Sequence, residues 1–306
     1  MTIRYRPAAA AACAAALGLL PAAGRTQQIA FTFDDLPAHS TLPPGETRLD
    51  VARQIIAALK AADLPPIYGF VNGVHLQNEP DSAAVLPAWR AAGFPLGNHT
   101  WSHLNLNTEP LAAWESDVIA DESLLAAEMG QGDWRWLRFP YLAEGADPDK
   151  QAASRAFLAS RGYRIAQVTM SFGDYAFNEP YARCVAKGDP AAVARLEQAY
   201  LQAAKDEAGR ARAMSKSLFD RDIPYVLLMH LGAFDARMLP RLLDLYRHEG
   251  FGFVTLEKAE QDPFYRPDVD LAAPQSPDTL EAALAARGLH PPPPKTDYAA
   301  LETICR

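Results

Sequence analysis

The chain has 306 residues, of which 49% are hydrophobic, 22% charged and 9% aromatic. This composition is typical of a globular protein with a large core, and it excludes both a disordered chain and a small disulfide-stabilised scaffold. The net charge of -8 results from 37 acidic and 29 basic residues, so the chain lacks the basic surface of a nucleic-acid-binding protein.

The first 24 residues have the pattern of a secretion signal. Arg4 and Arg6 precede an uncharged stretch of 13 residues, 8–20, which is too short to span a bilayer, and small residues suited to signal peptidase follow. A buried alanine-rich helix is the alternative. We expect residues 1–24 to be removed and the mature protein to be periplasmic or secreted, with no membrane span.

Two cysteines, Cys184 and Cys305, remain once Cys13 leaves with that segment. An even pair in an exported chain predicts a disulfide, because such bonds persist in oxidising compartments. Two unpaired thiols are the alternative. Neither cysteine has the neighbouring histidine or the ligand spacing of a catalytic or metal-binding thiol.

Residues 25–262 alternate short apolar runs with helical patterns. Several runs are apolar throughout, as expected for strands buried on both faces. The alternation predicts parallel strands with helical crossovers, arranged as a barrel or as a doubly wound sheet. The candidate strands lie at residues 29–33, 67–71, 94–97, 136–139, 163–168, 225–229 and 251–254, and the candidate helices at 49–62, 111–129, 150–161 and 239–248.

A longer helix is predicted at residues 189–214, with Asp189 as its N-cap and Pro190 at its first position. It is an insertion between two strands, and it lies either beside the mouth of the domain, closing one side of a groove, or against the outer surface. Residues 263–306 form a Pro-rich tail with a short helix at 279–287, which we expect to be strapped over the domain or partly loose.

Two pairs of polar residues follow predicted strands. Asp34 and Asp35 end the first strand, and burying adjacent carboxylates is costly unless a cation or strong donors receive them; helix capping is the alternative. His99 and His103 follow the third strand and, on one helical turn, would face the same side and share a metal. Thr100 stands where similarly spaced zinc proteases have glutamate, so a base must come from the aspartate pair.

Four more candidates follow later strands. Arg138 ends the fourth strand and can hold a carboxylate through two hydrogen bonds. The proline that comes two residues later stops the strand and frees the backbone N–H of Tyr141. His230 ends the sixth strand, and Asp174 lies in the loop after the fifth. Taken singly, each of them also fits a structural role.

The positions of these residues favour a common site. All of them lie at, or just beyond, the C-terminal ends of predicted parallel strands, which form one mouth in barrels and open sheets. A carboxylate with two imidazoles, leaving positions open for water, is typical of a catalytic zinc site. The remaining histidines, His39, His75, His248 and His290, are not expected to take part.

Taken in order, these motifs resemble those of the polysaccharide deacetylases of the NodB-homology type, carbohydrate esterase family four. The resemblance covers about residues 28–260 and implies a distorted (β/α) barrel that binds a divalent metal, usually Zn²⁺, with Co²⁺ or Ni²⁺ as alternatives. It implies that Asp35, His99 and His103 bind the metal and that Asp34 is the general base.

The same resemblance assigns the other four residues. Arg138 would orient the base, and the Tyr141 N–H would help to stabilise the oxyanion. His230, held by Asp174, would be the general acid.

The sequence departs from the family pattern at two places that shape the substrate groove. Leu36 and Pro37 follow the aspartate pair where the family often has glycine, and Tyr175 follows Asp174 where it often has tryptophan. These departures bear on specificity more than on chemistry.

We therefore expect an exported hydrolase that removes acetyl groups from an N-acetylated sugar and releases acetate. The alternatives are an O-deacetylase acting on acetylxylan-type esters, a catalytically silent envelope protein that binds carbohydrate, and a small-molecule amidase. An acetylated carbohydrate is the expected partner, and the sequence leaves the oligomeric state open.

Overall fold

The computed structural model of the protein describes residues 1–2, 27–275, 277 and 279–306. Apart from residues 1–2, the predicted signal segment lies outside the described residues. No helix in these described ranges is long and apolar enough to cross a bilayer.

Seven parallel strands form one sheet in the part of the chain that the structure describes. They are β1 (Gln27–Leu36), β2 (Tyr68–Val71), β3 (Leu96–Asn98), β4 (Trp136–Leu137), β5 (Arg164–Ile165), β6 (Tyr225–His230) and β7 (Phe251–Phe253). Each corresponds to one of the predicted apolar runs.

The sheet has the strand order β5-β4-β3-β2-β1-β6, and β7 pairs with the first residues of β1. A bridge between Met170 and Leu227 brings the chain after β5 against β6. The sheet therefore curls towards closure, and of the two predicted architectures the distorted (β/α) barrel is confirmed. The central strands β1 and β2 are buried almost throughout, because helices cover one face and the barrel interior covers the other.

Helices surround the sheet. Within the described residues they are α1 (Arg48–Ala61), α2 (Val74–Asn78), α3 (Val85–Ala91), α4 (Leu111–Met129), α5 (Pro148–Ser160), α6 (Asn178–Ala186), α7 (Pro190–Phe219), α8 (Ala233–His248), α9 (Leu256–Ala259), α10 (Arg266–Val269), α11 (Leu280–Ala286) and α12 (Tyr298–Thr303).

The predicted helices are present, and the largest difference is the start of α8 at Ala233 rather than at residue 239. The predicted start places Pro240 in the first turn, whereas the structure places it inside the helix. The first turn of α8 is capped from a distance, since the N–H of Phe234 donates to Asn178 Oδ1 at 2.8 Å. Such a cap between residues far apart in the chain leaves no local sequence signal.

The insertion helix α7 packs as an outer helix, which decides between the two predicted positions. It extends to Phe219, beyond the predicted end at residue 214. Its buried Tyr200 donates a hydrogen bond to Asp235 of α8 at 2.8 Å and packs edge-on against Phe172 and Phe177. This part of the helix therefore covers the barrel wall beside α8.

The tail lies along the outside of the same helices. Leu280 and Leu284 of α11 are buried, and at the end of the chain Cys305 forms a disulfide with Cys184 of α6. The predicted disulfide is therefore present in the structure.

Candidate active site

The carboxyl ends of β1, β3, β4 and β6 meet at one mouth of the barrel, and the structure brings all eight predicted site residues together there. Asp34 and Asp35 lie at the end of β1, next to His230 in β6. His99 follows β3, and Arg138 follows β4. The residues predicted to share a mouth from their positions at strand ends therefore do lie together in the structure.

Asp35, His99 and His103 form a compact group of metal-binding side chains. The Oδ1 atom of Asp35 lies 3.5 Å from Nε2 of each histidine. Ligands bound tetrahedrally at 2.0–2.1 Å from one ion are about 3.4 Å apart. That Oδ1 atom is buried and has no hydrogen-bond partner among the described residues. An unsatisfied buried carboxylate oxygen at this spacing fits a divalent cation.

The two imidazoles have the orientation and charge that metal binding requires. Nδ1 of His99 lies 2.7 Å from the carbonyl oxygen of Arg138 and therefore carries the hydrogen, so Nε2 faces Asp35 with a free lone pair. Burial lowers the pKa of His99 and that of His103 to about 4. Both rings are therefore neutral near pH 7, the form that binds a metal.

The prediction that His99 and His103 share a helical turn is wrong. Residues 99–103 form an irregular loop, in which Thr100 (φ 61°) and His103 (φ 59°) have left-handed backbone. The loop turns because the N–H of Thr100 donates to Asn98 Oδ1 at 2.8 Å and Ser102 binds the Asp117 carboxylate. The histidines converge through these side-chain contacts rather than through helical periodicity.

Arg138 holds Asp34 as predicted. Its Nη1 atom lies 3.2 Å from Asp34 Oδ1, while Nη2 donates to Thr32 and Nε donates to the Ala166 carbonyl. The guanidinium is therefore fixed on all sides. Burial nevertheless raises the pKa of Asp34 to about 6, because the desolvation of the carboxylate outweighs the opposing charge of Arg138. Asp34 is ionised near pH 7 but accepts a proton readily.

His230 has the opposite electrostatic setting. Its Nδ1 atom lies 3.1 Å from Asp174 Oδ1, and its backbone N–H donates to Asp174 Oδ2 at 2.6 Å. Burial alone would lower the pKa of His230, but the Asp174 carboxylate outweighs it and raises the pKa to about 10. The ring is therefore a cation near pH 7.

His39 also belongs to the site, although the sequence analysis excluded it. Its Nδ1 atom lies 2.8 Å from Asp35 Oδ2, and its ring packs against His230 with centroids 4.6 Å apart. Arg48 holds the His39 carbonyl at 2.8 Å and so fixes the loop after β1. Burial alone would raise the pKa of Asp35, but the hydrogen bond with His39 and the charges of His39 and of the other nearby histidines outweigh it and keep that pKa well below its usual value. The four-residue spacing from Asp35 was the available sequence signal.

Tyr141 lies next to His103 at the mouth. Its ring packs against His103 with centroids 4.5 Å apart, and its side chain is 66% exposed. Its backbone is left-handed at φ 57°, as is that of Asp35 at 60°. Left-handed backbone in non-glycine residues is a cost that concentrates at functional sites, where the surrounding structure enforces it.

Comparisons with known proteins agree with this geometry. Residues 22–164 match the family model described as polysaccharide deacetylase, so this part of the chain is similar to that family. A search of the curated proteins finds no match.

Solved structures share the fold. The chitin deacetylase of the fungal pathogen Colletotrichum lindemuthianum is 23% identical with a TM-score of 0.51, over 76% of this chain and 88% of that one. The peptidoglycan deacetylase PdaC of Bacillus subtilis is 16% identical with a TM-score of 0.50, over 78% and 91%. A CE4 family pseudoenzyme of Bacillus anthracis is 14% identical with a TM-score of 0.52, over 77% and 66%. Because enzymes and a pseudoenzyme share the fold, the side chains must carry the functional argument.

Proposed function

We propose that the protein is an exported, metal-dependent deacetylase that removes acetyl groups from an N-acetylated sugar of the chitooligosaccharide or peptidoglycan type and releases acetate. One observation carries the proposal. A metal-ligand set, a buried carboxylate and a charged imidazole converge on one mouth, with Asp34 Oδ2 3.6 Å from His99 Nε2 and His39 packed between Asp35 and His230.

Asp35, His99 and His103 would hold the cation. One carboxylate and two neutral imidazoles favour Zn²⁺, with Co²⁺ and Ni²⁺ as alternatives. When bound, such a cation lowers the pKa of water towards neutrality and polarises the acetyl carbonyl.

Asp34 accepts the proton of the attacking water. Arg138 fixes the orientation of its carboxylate, and the pKa of about 6 matches the operating range of a general base. The backbone N–H of Tyr141 is the proposed donor to the oxyanion of the tetrahedral intermediate, because a fixed N–H dipole is effective where negative charge develops.

His230 donates its proton to the leaving group. Asp174 keeps the ring charged and fixes its orientation. An amide nitrogen cannot leave without a proton, whereas the alkoxide of an ester leaves more readily. An acid held in its charged form therefore favours an N-acetyl substrate over an O-acetyl ester.

The proposed export is supported by the disulfide between Cys184 and Cys305, since such bonds persist in oxidising compartments. We propose that residues 1–24 are the signal peptide and that the protein acts in the periplasm or after secretion.

The deciding experiment is acetate release from N-acetylglucosamine oligomers, peptidoglycan fragments and acetylated xylan, with and without added Zn²⁺. We expect release from an N-acetylated substrate that chelation abolishes and Zn²⁺ restores. Asp244→Asn, which changes an exposed aspartate on α8, is the matched control for Asp34→Asn. Release from xylan alone would reassign the substrate to O-acetyl esters, and no release from any substrate would leave a silent carbohydrate-binding protein.

A further inference from the structure

The last residues of the chain are fixed firmly beside the mouth. We call residues 289–306 the C-terminal strap. Its end is bound to α6 by the disulfide between Cys184 and Cys305, and Arg183 donates to the carbonyl oxygens of Glu302 and Ile304, each at 3.0 Å. Leu301 is buried beneath it. These contacts fix α12, which begins with Tyr298.

Tyr298 reaches the wall of the candidate active site. Its ring lies against Gly173, where an added Cβ would come within 2.3 Å of the tyrosine ring. Gly173 directly precedes Asp174, the residue that holds the general acid. Any side chain at position 173 would therefore displace Tyr298 from the mouth.

Tyr298 and Tyr175 form an exposed aromatic pair next to His230. Their ring planes are within 10° of parallel, with centroids 6.3 Å apart, and Tyr175 lies 5.5 Å from His230. The two rings are close to parallel, and each is only partly covered by its neighbours. Tyr175 is 49% exposed and Tyr298 is 36% exposed. Two parallel faces with hydroxyl groups at their edges suit a pyranose ring, whose axial C–H groups pack on aromatic carbon while its hydroxyls form hydrogen bonds.

The chemistry places the glycan on this side of the mouth. The acetyl carbon must lie towards Asp34 and Asp35, whereas the nitrogen that His230 protonates belongs to the sugar. The neighbouring sugar units therefore continue past His230.

We propose that the disulfide-anchored C-terminal strap completes the substrate groove, with Tyr298 and Tyr175 stacking on the sugar unit next to the one that is deacetylated. This inference rests on the proposed function. It makes a chain of at least two sugar units the preferred substrate, and it makes that preference depend on the disulfide.

The test compares Tyr298→Ala with Tyr298→Phe, which keeps the ring, and with Lys295→Ala, which removes the strap's ion pair with Asp206 away from the mouth. Steady-state kinetics use N-acetylglucosamine and its tetramer. We expect Tyr298→Ala to raise KM for the tetramer roughly three- to tenfold, the loss of one aromatic contact. Tyr298→Phe should keep most of the tetramer affinity because the ring remains, and Lys295→Ala should match the parent protein.

A second arm uses the Cys184→Ser, Cys305→Ser variant, which frees the strap and should raise the KM for the tetramer by a similar factor. If this variant does not fold, as judged by circular dichroism, the Tyr298 variants decide the question. An unchanged KM for the tetramer in Tyr298→Ala would overturn the proposal.

Calorimetric binding of the tetramer separates this inference from the proposed function. If the parent protein binds the tetramer but releases no acetate, the catalytic proposal fails. In that case, weaker tetramer binding by Tyr298→Ala still supports the proposed stacking of a sugar on Tyr298, and equal binding rejects it.

Discussion

His99, which is buried, and His230, which is partly buried, lie at one mouth, and they differ in charge. Nδ1 of His99 donates to a backbone carbonyl, and burial lowers the pKa of the ring to about 4. Nδ1 of His230 faces the Asp174 carboxylate, which outweighs the effect of burial and raises the pKa to about 10. The charge of the hydrogen-bond acceptor therefore decides whether the same side chain suits a ligand or an acid.

Removing the neutral histidines, His99 and His103, has the largest expected effect. The His99→Ala, His103→Ala variant should lose its metal and at least about a thousandfold in activity, because two of three ligands are gone. Elemental analysis of the purified protein checks the metal, expected at about one ion per parent chain. His248→Ala, an exposed histidine on α8, is the control. Undiminished metal in the double variant would contradict the ligand assignment.

The aspartate pair separates base from ligand. Asp34→Asn should keep the metal and lose roughly two to four orders of magnitude in activity, the usual contribution of a general base. Asp35→Asn should mainly weaken metal retention. Metal content and acetate release, measured on both variants, distinguish the roles. The opposite pattern would exchange the two assignments, and two active variants would refute the mechanism.

Asp174→Asn gives His230 a neutral hydrogen-bond acceptor, as His99 already has. In the parent protein the activity should fall below about pH 6 as Asp34 is protonated, or lower still with a cation bound, and above about pH 10 as His230 loses its proton. The variant should move the alkaline limb towards pH 6.5, the ordinary value for histidine, and lose roughly 10- to 100-fold at pH 8. An unmoved alkaline limb in the pH profile would show that another group is the acid.

His39 links the two sides, and changing it should have the smallest effect. His39→Ala removes the donor to Asp35 Oδ2, and second contacts of this kind typically contribute 10- to 100-fold to metal affinity. We expect roughly tenfold weaker metal binding in a competition titration with a chelator, with full activity at saturating Zn²⁺. Unchanged affinity would leave His39 with a packing role only.

The fold could be predicted from the sequence because parallel strands buried on both faces leave continuous apolar runs, such as the one that forms β6. The site could also be predicted, since Asp34, Arg138 and His230 each lie at the end of such a run. The loop that turns His103 towards His99 was misread as a helix. Its shape depends on Asp117, a residue of α4 that lies far along the chain from Asn98.

The position of the C-terminal tail could likewise be predicted only in part from the sequence. The sequence indicated a disulfide and a strap, but the position of Tyr298 over Gly173 depends on how α12 packs against α6. His39 was missed because a histidine outside the strand ends carried no expected role, although it lies within hydrogen-bond distance of Asp35.

The left-handed backbone at Asp35 and His103 has a consequence for how this barrel responds to selection. A non-glycine residue in this conformation costs about 1 kcal/mol or more, and glycine adopts it without that steric cost. Glycine at position 35 would also remove the buried carboxylate oxygen that lacks a partner. Variants selected for heat resistance alone should therefore accumulate glycine at positions 35 and 103, giving a more stable barrel that has lost two of the three side chains proposed to bind the metal.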